Sequence, residues 1–177
     1  MRWLLPALVA GCVASTPQPT SDWERQNEGR LRGEEALELP PPPKKANLIE
    51  FYVSATTDFK YYVDAGSLNV GRDHVVRYVL VARSPQGAEN VRYEGIRCPD
   101  QNRIYATGRP DGSWSTASGG WRTIPRGSAI NPAYALARNY FCPHRDPIVT
   151  AAEGVDALRR GSHPSVYVEQ RNLGGPQ

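Results

Sequence analysis

Apolar and polar residues alternate along much of the chain between Leu48 and Thr107, and this period of two constrains the fold more than any other feature. In Val75–Arg83, one side of the predicted strand carries Val76, Tyr78, Leu80 and Ala82. Alternate residues of a strand project to opposite faces of the sheet. Similar runs, bounded by turn residues, occupy Ile49–Val53, Phe59–Val63, Val91–Cys98 and Arg103–Thr107. The pattern predicts a twisted antiparallel sheet of about five strands with one solvated face.

Two helices are predicted after the sheet. Asn131 can cap the first helix, and Pro132 suits its first position. Thr150 and Glu153 form a capping box for the second helix, which Gly161 ends. A short strand is predicted at Val166–Val168. The apolar side of the first helix is predicted to consist of Ala133, Leu136, Ala137, Tyr140 and Phe141. The predicted fold class is α+β, with the two C-terminal helices packed on one face of the sheet.

Within the strand that leads to Cys98, Gly95 interrupts the alternation and predicts a bulge.

The first eleven residues have the pattern of an export signal. Arg2 precedes a short apolar run, which is far below the roughly 20 residues of a membrane span. The sequence Val9-Ala10-Gly11-Cys12 resembles the lipobox of bacterial lipoproteins. The resemblance implies that residues 1–11 are removed, that the Cys12 thiol receives diacylglycerol, and that the new amine is acylated. The alternative is an ordinary secretory signal in which this cysteine occurs by chance.

The resemblance also implies a location. In lipoproteins of enteric-type bacteria, Asp after the lipidated cysteine favours the inner membrane, and here that position is Val13. We therefore expect attachment, through lipid on Cys12, to the periplasmic face of the outer membrane. Residues 12–47 are predicted to be a tether in which Pro40–Pro43 form a stiff spacer or, alternatively, a proline-rich binding motif. Residues 48–177 are predicted to be a single domain.

Cys98 and Cys142 remain after Cys12 is assigned to lipid. Because the periplasm is oxidising, two such thiols in a small exported domain are expected to form a disulfide. The bond would close a loop of 142 − 98 = 44 residues, which corresponds to roughly 3–4 kcal/mol on the chain-entropy model.

The charge balance argues against nucleic acid as a partner. The chain has 21 Lys and Arg against 18 Asp and Glu, and removal of Arg2 leaves 21 − 1 = 20 basic residues. Nucleic-acid-binding domains are strongly basic, and this one is nearly neutral.

Several segments resemble the cryptic neisserial protein-like family of proteobacterial lipoproteins. The matching segments are Gly71–Tyr78, Asn90–Cys98, Tyr105–Arg109, Gly112–Trp114 and Tyr140–Pro143. The family has no established activity, so the resemblance implies a lipoprotein domain and supplies no catalytic residues. A looser similarity to surface-adhesin protein E-like lipoproteins concerns the fold alone.

No pattern of catalytic or metal-ligating residues is present. His74, His144 and His163 lack metal-ligand spacing and are expected to be exposed loop residues. No nucleophile elbow, phosphate-binding loop or paired carboxylates occur, and the aspartates lie in turn sequences. We therefore expect neither enzymatic activity nor a cofactor.

The arginines of the predicted strands are the candidate binding residues. If Arg77, Arg83, Arg92 and Arg97 converged, they could bind phosphate, glycan carboxylates or an acidic protein. The alternative, which we favour, is a solvated face without a sharp site, so that replacing the first three by Gln leaves folding nearly unchanged. Trp114 and Trp121 are expected to pack on the sheet rather than to form an exposed platform.

The sequence as a whole favours an outer-membrane lipoprotein that acts as a structural or interaction module for an unknown envelope protein or glycan. The alternatives are a surface-displayed, adhesin-like protein and a hydrolase of envelope polymers. A hydrolase would require a cleft with convergent titratable groups.

Overall fold

One antiparallel sheet forms the centre of the computed structural model, which describes residues 33–128 and 130–166. Its strands in the described residues are β1 (Leu48–Phe51), β2 (Lys60–Val70), β3 (Val75–Arg83), β4 (Glu89–Arg97), β5 (Gln101–Gly108), β6 (Trp114–Thr116) and β7 (Arg122–Thr123). β1 to β6 pair in sequence order, and β7 pairs with the start of β5. The α+β class and the antiparallel sheet are confirmed. The additional strands, β6 and β7, have three and two residues, too few for alternation to reveal them.

The helices begin at the predicted caps. Helix α1 (Pro132–Leu136) continues into a π-helical turn (Ala137–Phe141), and helix α2 spans Ala151–Arg160. The side chain of Asn131 accepts a hydrogen bond from the N–H of Ala133 at 3.0 Å, and that of Thr150 accepts one from Glu153 at 3.2 Å. Gly161 ends α2 with a left-handed φ of 83°. Single-turn 3₁₀ helices lie at Lys45–Asn47 and Pro143–Arg145.

Val166 lies in a helical turn, where its N–H donates to the carbonyl of His163 at 3.0 Å. It is therefore not part of the predicted strand, and residues 167 and 168 of that strand lie outside the described ranges.

None of the helices within residues 33–128 and 130–166 has the length and apolar composition that a membrane span requires.

The main apolar core lies on what we call the first face of the sheet. Its buried members come from strands and helices and include Val63, Val76, Tyr78, Leu80, Leu136, Phe141 and Leu158. Gly154 of α2 sits so close to β2 that an added Cβ would lie 2.7 Å from Leu68 Cδ2. A side chain at this position would therefore require the Leu68 side chain to move or α2 to shift.

A disulfide connects this face to the helices. Cys98 follows β4, Cys142 follows the π-helical turn, and their Cα atoms are 5.7 Å apart. The predicted pairing is confirmed. It crosslinks the end of a central strand to the end of the first helical segment.

The opposite side, the second face, is also covered by apolar residues. A second cluster contains Tyr62, Val79, Val81, Tyr93, Tyr105 and Ala106. Trp114 and Trp121 pack against it and are half-buried, in agreement with packing rather than an exposed platform. The expectation of one solvated face was therefore wrong. The reason is that β3 is apolar on both faces, as in a strand covered from both sides.

Gly95 does not form the predicted bulge against β3. The register between β3 and β4 is unbroken, with Arg77 opposite Gly95. A register shift occurs instead between β4 and β5, next to Tyr93 and Glu94. The change of phase in the sequence reflects a strand that buries apolar residues on the second face at Tyr93 and on the first face at Ile96.

Candidate carboxylate-binding site

The four predicted arginines are divided between the two faces. Arg77, Arg83 and Arg97 lie on the second face, whereas Arg92 lies opposite Leu80 on the first. Arg77 faces Gly95 across the β3–β4 pair, and Arg83 faces Glu89. The structure therefore does not bring the four side chains together.

Arg83, Arg92 and Arg97 each contact a different side chain of the domain. Arg83 contacts Glu89 at 2.7 Å and lies 4.8 Å from the ring centroid of Tyr62. Arg92 lies 3.0 Å from the buried carboxylate of Glu94. The Arg97 guanidinium lies over Trp121, 4.4 Å from the ring centroid. These arginines serve internal contacts.

Arg77 is buried, and the expectation of a solvated side chain was wrong at this position. Its guanidinium donates two parallel hydrogen bonds to the buried carboxylate of Asp73, at 3.0 and 2.5 Å. Burial alone would raise the pKa of Asp73, but the hydrogen bonds from Arg77 and from two backbone N–H groups outweigh burial and lower it. Burial would likewise lower the pKa of Arg77, and the bonds to Asp73 raise it. The pair is ionised and fixed in place.

Beside this pair, the carboxylate of Glu34 is surrounded by donors from the second face. Arg103 Nη1 donates to Glu34 Oε2 at 2.7 Å, and Trp121 Nε1 donates to the same oxygen at 3.3 Å. The Tyr105 hydroxyl donates to Glu34 Oε1, and Arg77 Nη2 lies 3.8 Å from that oxygen. We call these four groups, three hydrogen-bond donors and the ion-paired Arg77, the clamp. The clamp is a built site for one carboxylate.

The strand register explains how the clamp forms. Arg77, Gly95 and Arg103 lie side by side on three adjacent strands. Gly95 leaves room in the middle of this row, since an added Cβ would lie 2.8 Å from the Tyr105 ring. The Tyr105 ring thus lies close to the backbone of β4, and its hydroxyl reaches Glu34. The two arginines flank the same carboxylate without clashing.

The clamp is partly shielded from water. Burial first, and then the hydrogen bond to Glu34, raise the pKa of Tyr105, so its hydroxyl keeps the proton that it donates. The Glu34 side chain is 21% exposed. Charge-assisted hydrogen bonds are stronger in such an environment than on an open surface.

Glu34 belongs to a segment, residues 33–43, which we call the strap. Its first half is fixed by Glu34 and by Glu35, whose Oε1 accepts from the backbone N–H and Nε of Arg72, both at 3.2 Å. The N–H of Glu35 donates to Asp73 Oδ2 at 3.0 Å. Further along, the carbonyl of Pro40 accepts from Trp114 Nε1 at 2.7 Å. This part of the predicted tether therefore lies against the domain, whereas Cys12 and residues 1–32 lie outside the described ranges.

Two of the three histidines are exposed and one is buried. His74 and His144 are exposed, as expected, but His163 is buried, with Nε2 3.0 Å from Glu153 Oε1. The expectation of an exposed loop residue was wrong for His163, because the turn after α2 folds back on the helix. Among the described residues, no three His, Cys, Asp or Glu side chains are placed to hold a metal ion.

Sequence reasoning singled out Arg77 as a candidate binding residue and Trp121 as a packing residue, but it missed Glu34 and Tyr105 as their partners. Glu34 lies in a charged segment without periodicity, 87 residues before Trp121. One feature of the sequence could have indicated the source of the missing carboxylate. Several arginines on a well-packed strand need carboxylates, and the Glu34-Glu35 doublet is a source of them.

The fold and the clamp together define an α+β sheet protein that holds an acidic segment of its own chain on one face. The chain matches the model of the CNP1-like family over residues 27–159, and it belongs to that family. The matched region includes the strap. No curated protein and no solved structure matches the chain.

Proposed function

We propose that this chain is an outer-membrane lipoprotein, acylated at Cys12 and facing the periplasm, whose domain is a non-enzymatic interaction module. The leader and the lipobox-like sequence support the anchor, and the resemblance to a family of proteobacterial lipoproteins supports the lipoprotein class. Mass spectrometry of the mature protein should find diacylglycerol on Cys12. An unmodified N-terminus at another residue would contradict the anchor, and cleavage of the domain by protease added to intact cells would indicate surface display.

The single observation that carries the interaction role is the clamp. Two guanidinium groups, a tyrosine hydroxyl and an indole N–H surround one carboxylate, which the chain supplies from its own strap. We infer that the clamp is a receptor for an extended acidic segment of an envelope protein. In the resting state Glu34 occupies it.

The strap is suited to exchange because it is held mainly near its ends. Between Glu35 and Pro40, Leu37 and Leu39 are exposed to 39% and 40%. An intramolecular segment competes with an effective concentration in the millimolar range. A partner with more contacts than the strap can therefore displace it, whereas a single free carboxylate cannot.

Charge also favours an acidic partner. With the strap in place, Arg77 and Arg103 face Asp73 and Glu34, two charges of each sign. Removal of the strap takes away one carboxylate and leaves one guanidinium uncompensated. A carboxylate-bearing segment restores the balance.

The test uses the strap as its own probe. A labelled peptide with the sequence of residues 33–40 is added to the full mature chain carrying Glu34→Ala, and binding is followed by fluorescence anisotropy. The variant should bind the peptide at least about tenfold more tightly than wild type, because the clamp is open. Glu38→Ala, in the same strap but outside the clamp, is the matched control and should behave like wild type.

A second substitution assigns the binding to the clamp. Adding Arg103→Gln to Glu34→Ala should abolish the gain in peptide affinity. Replacing the peptide residue that corresponds to Glu34 by Gln should abolish it as well. If Glu34→Ala does not gain binding, or if it binds the Gln peptide equally well, the clamp is not a carboxylate receptor.

A further inference from the structure

A second cluster of arginines lies near the disulfide, around a cavity whose lining shares no residue with the clamp. Arg126, Arg138 and Arg145 line a cavity of about 540 Å³. Small-molecule sites typically have about 300–1,000 Å³. The cavity is therefore large enough for a ligand rather than for a single ion.

These arginines differ from those of the sheet in their partners. Within residues 33–128 and 130–166, none of the three forms an ion pair, whereas Arg77, Arg83, Arg92 and Arg103 all do. One acid, Asp100, also lines the cavity. The lining thus carries three guanidinium groups against one carboxylate.

Two of the arginines act on one oxygen in the cavity wall. Arg138 Nη1 lies 2.9 Å from the hydroxyl of Tyr134 and donates to it. The hydrogen bond from Arg138, a backbone N–H from Gly127 and the nearby charge of Arg126 lower the pKa of the Tyr134 hydroxyl. The lowered pKa is the expected effect of a positive local potential.

The third arginine is held in an unusual backbone conformation. His144 and Arg145 have φ values of 53° and 74°, in the left-handed region that residues with a side chain rarely adopt. The turn directly follows Cys142, which the disulfide fixes. Such conformations are costly and cluster at binding sites, where the surrounding structure maintains them.

Part of the cavity lining is apolar. It includes Ile124, which belongs to the main core, together with Ala137 and Pro99. A ligand that fills the cavity therefore meets both guanidinium groups and hydrocarbon.

We propose that this cavity binds a phosphate monoester whose organic part is apolar, with the phosphate held by Arg126, Arg138 and Arg145 and the apolar part against Ile124. Arginine matches the planar arrangement of phosphate oxygens, and a dianion balances more than one guanidinium. The site is separate from the clamp and does not depend on it.

The test measures calorimetric binding of phenyl phosphate to the full mature chain in phosphatidylcholine nanodiscs. Arg126→Gln with Arg138→Gln should weaken binding by about tenfold or more. Arg122→Gln with Arg159→Gln is the matched control, since both are exposed, lie outside this cavity and change the net charge equally. The control should retain wild-type affinity.

Three results would overturn the proposal: no binding by wild type, an equal loss in both double variants, or inorganic phosphate binding as tightly as phenyl phosphate. Absence of binding would show that there is no site. An equal loss in both double variants would show that binding depends only on net charge, and equally tight binding of inorganic phosphate would show that the apolar part of the ligand contributes nothing. Vesicles of phosphatidylcholine with and without phosphatidic acid distinguish the source of the phosphate. When phenyl phosphate also binds, arginine-dependent binding that requires phosphatidic acid in the vesicle identifies a lipid headgroup as the source.

Discussion

The two faces of the sheet are both buried, but different interactions hold their covers in place. The first face is covered by helices, through an aliphatic and aromatic core and one disulfide. The second face is covered by tyrosines, tryptophans and the strap, which is attached by ion pairs and hydrogen bonds. The first cover is held by apolar packing and a covalent bond, whereas the strap of the second cover is held by polar contacts.

Each face also involves a buried acid, and the two acids respond in opposite ways. Burial raises the pKa of Glu94, and the nearby Arg92 and the Tyr78 hydroxyl only partly offset it. At Asp73, two hydrogen bonds from Arg77 and two from the backbone outweigh burial, and the pKa falls. The hydrogen bonds and neighbouring charges that reach each carboxylate, together with its burial, therefore set the direction of its pKa shift.

Arg77→Gln should have the largest effect of any single change on the second face. It leaves Asp73 as a buried charge without its bidentate partner, which costs about 3–5 kcal/mol. The expectation that this replacement leaves folding nearly unchanged is therefore revised. Urea unfolding at neutral pH measures the loss, and Arg83→Gln, which removes an exposed pair in the same strand, should change stability little. Equal effects of the two variants would contradict the burial argument.

Loss of the disulfide should have the next largest effect, on the first face. Replacing Cys98 and Cys142 by Ala should lower the free energy of unfolding by roughly 3–4 kcal/mol, because the 44-residue loop gains freedom in the unfolded chain. Hydrogen exchange should increase in α1 and in the π-helical turn and leave the strap unchanged. Increased exchange of the strap would show that the two covers are coupled.

Gly95→Ala should have a moderate effect confined to the second face. The added Cβ would lie 2.8 Å from the Tyr105 ring, which must move and release Glu34. Overpacking of this kind costs about 1–3 kcal/mol. Gly119→Ala is the control, because a Cβ there meets no atom within 4 Å. Limited proteolysis within the strap should accelerate for Gly95→Ala only.

The smallest effect should be a change in pH dependence. Because the folded-state pKa of Glu94 is raised, its contribution to stability is present below the pKa of the unfolded chain, about 4.3, and is lost as the pH rises through the folded value. Glu94→Gln should remove this loss, so the variant gains stability relative to wild type between acidic and neutral pH. Asp73 behaves oppositely, with stability lost as the pH falls below the unfolded value. Urea midpoints measured across this range test the sign, and parallel curves for Glu94→Gln and wild type would contradict it.

The strands, caps and disulfide could be predicted from the sequence because their signals are local or chemical. Alternation identified β3, Asn131 and Thr150 marked the helix starts, and the two leftover cysteines determined the pairing. These predictions depend on residues that are close in sequence or on a cysteine count. Neither requires the tertiary arrangement.

The clamp could not be predicted in the same way. Its carboxylate comes from a segment without periodicity, and the groups that surround this carboxylate come from β3, β5 and the loop before β7. The burial of Arg77 depends on which elements cover the second face, and alternation shows only that two faces exist. The one indication in the sequence that both faces are covered is a strand that is apolar on both sides, such as β3.

The order of the strands has a consequence for the time course of folding. Because β1 to β6 pair in the order of synthesis, each strand can pair with one that is already present, and these local contacts form quickly. The strap is the exception, since Glu34 precedes every strand and its partner Trp121 follows 87 residues later. The clamp requires β3, β5 and the loop before β7, and closing so long a loop is entropically costly until they are in place. The part of the described chain that is made first is therefore the part that docks last.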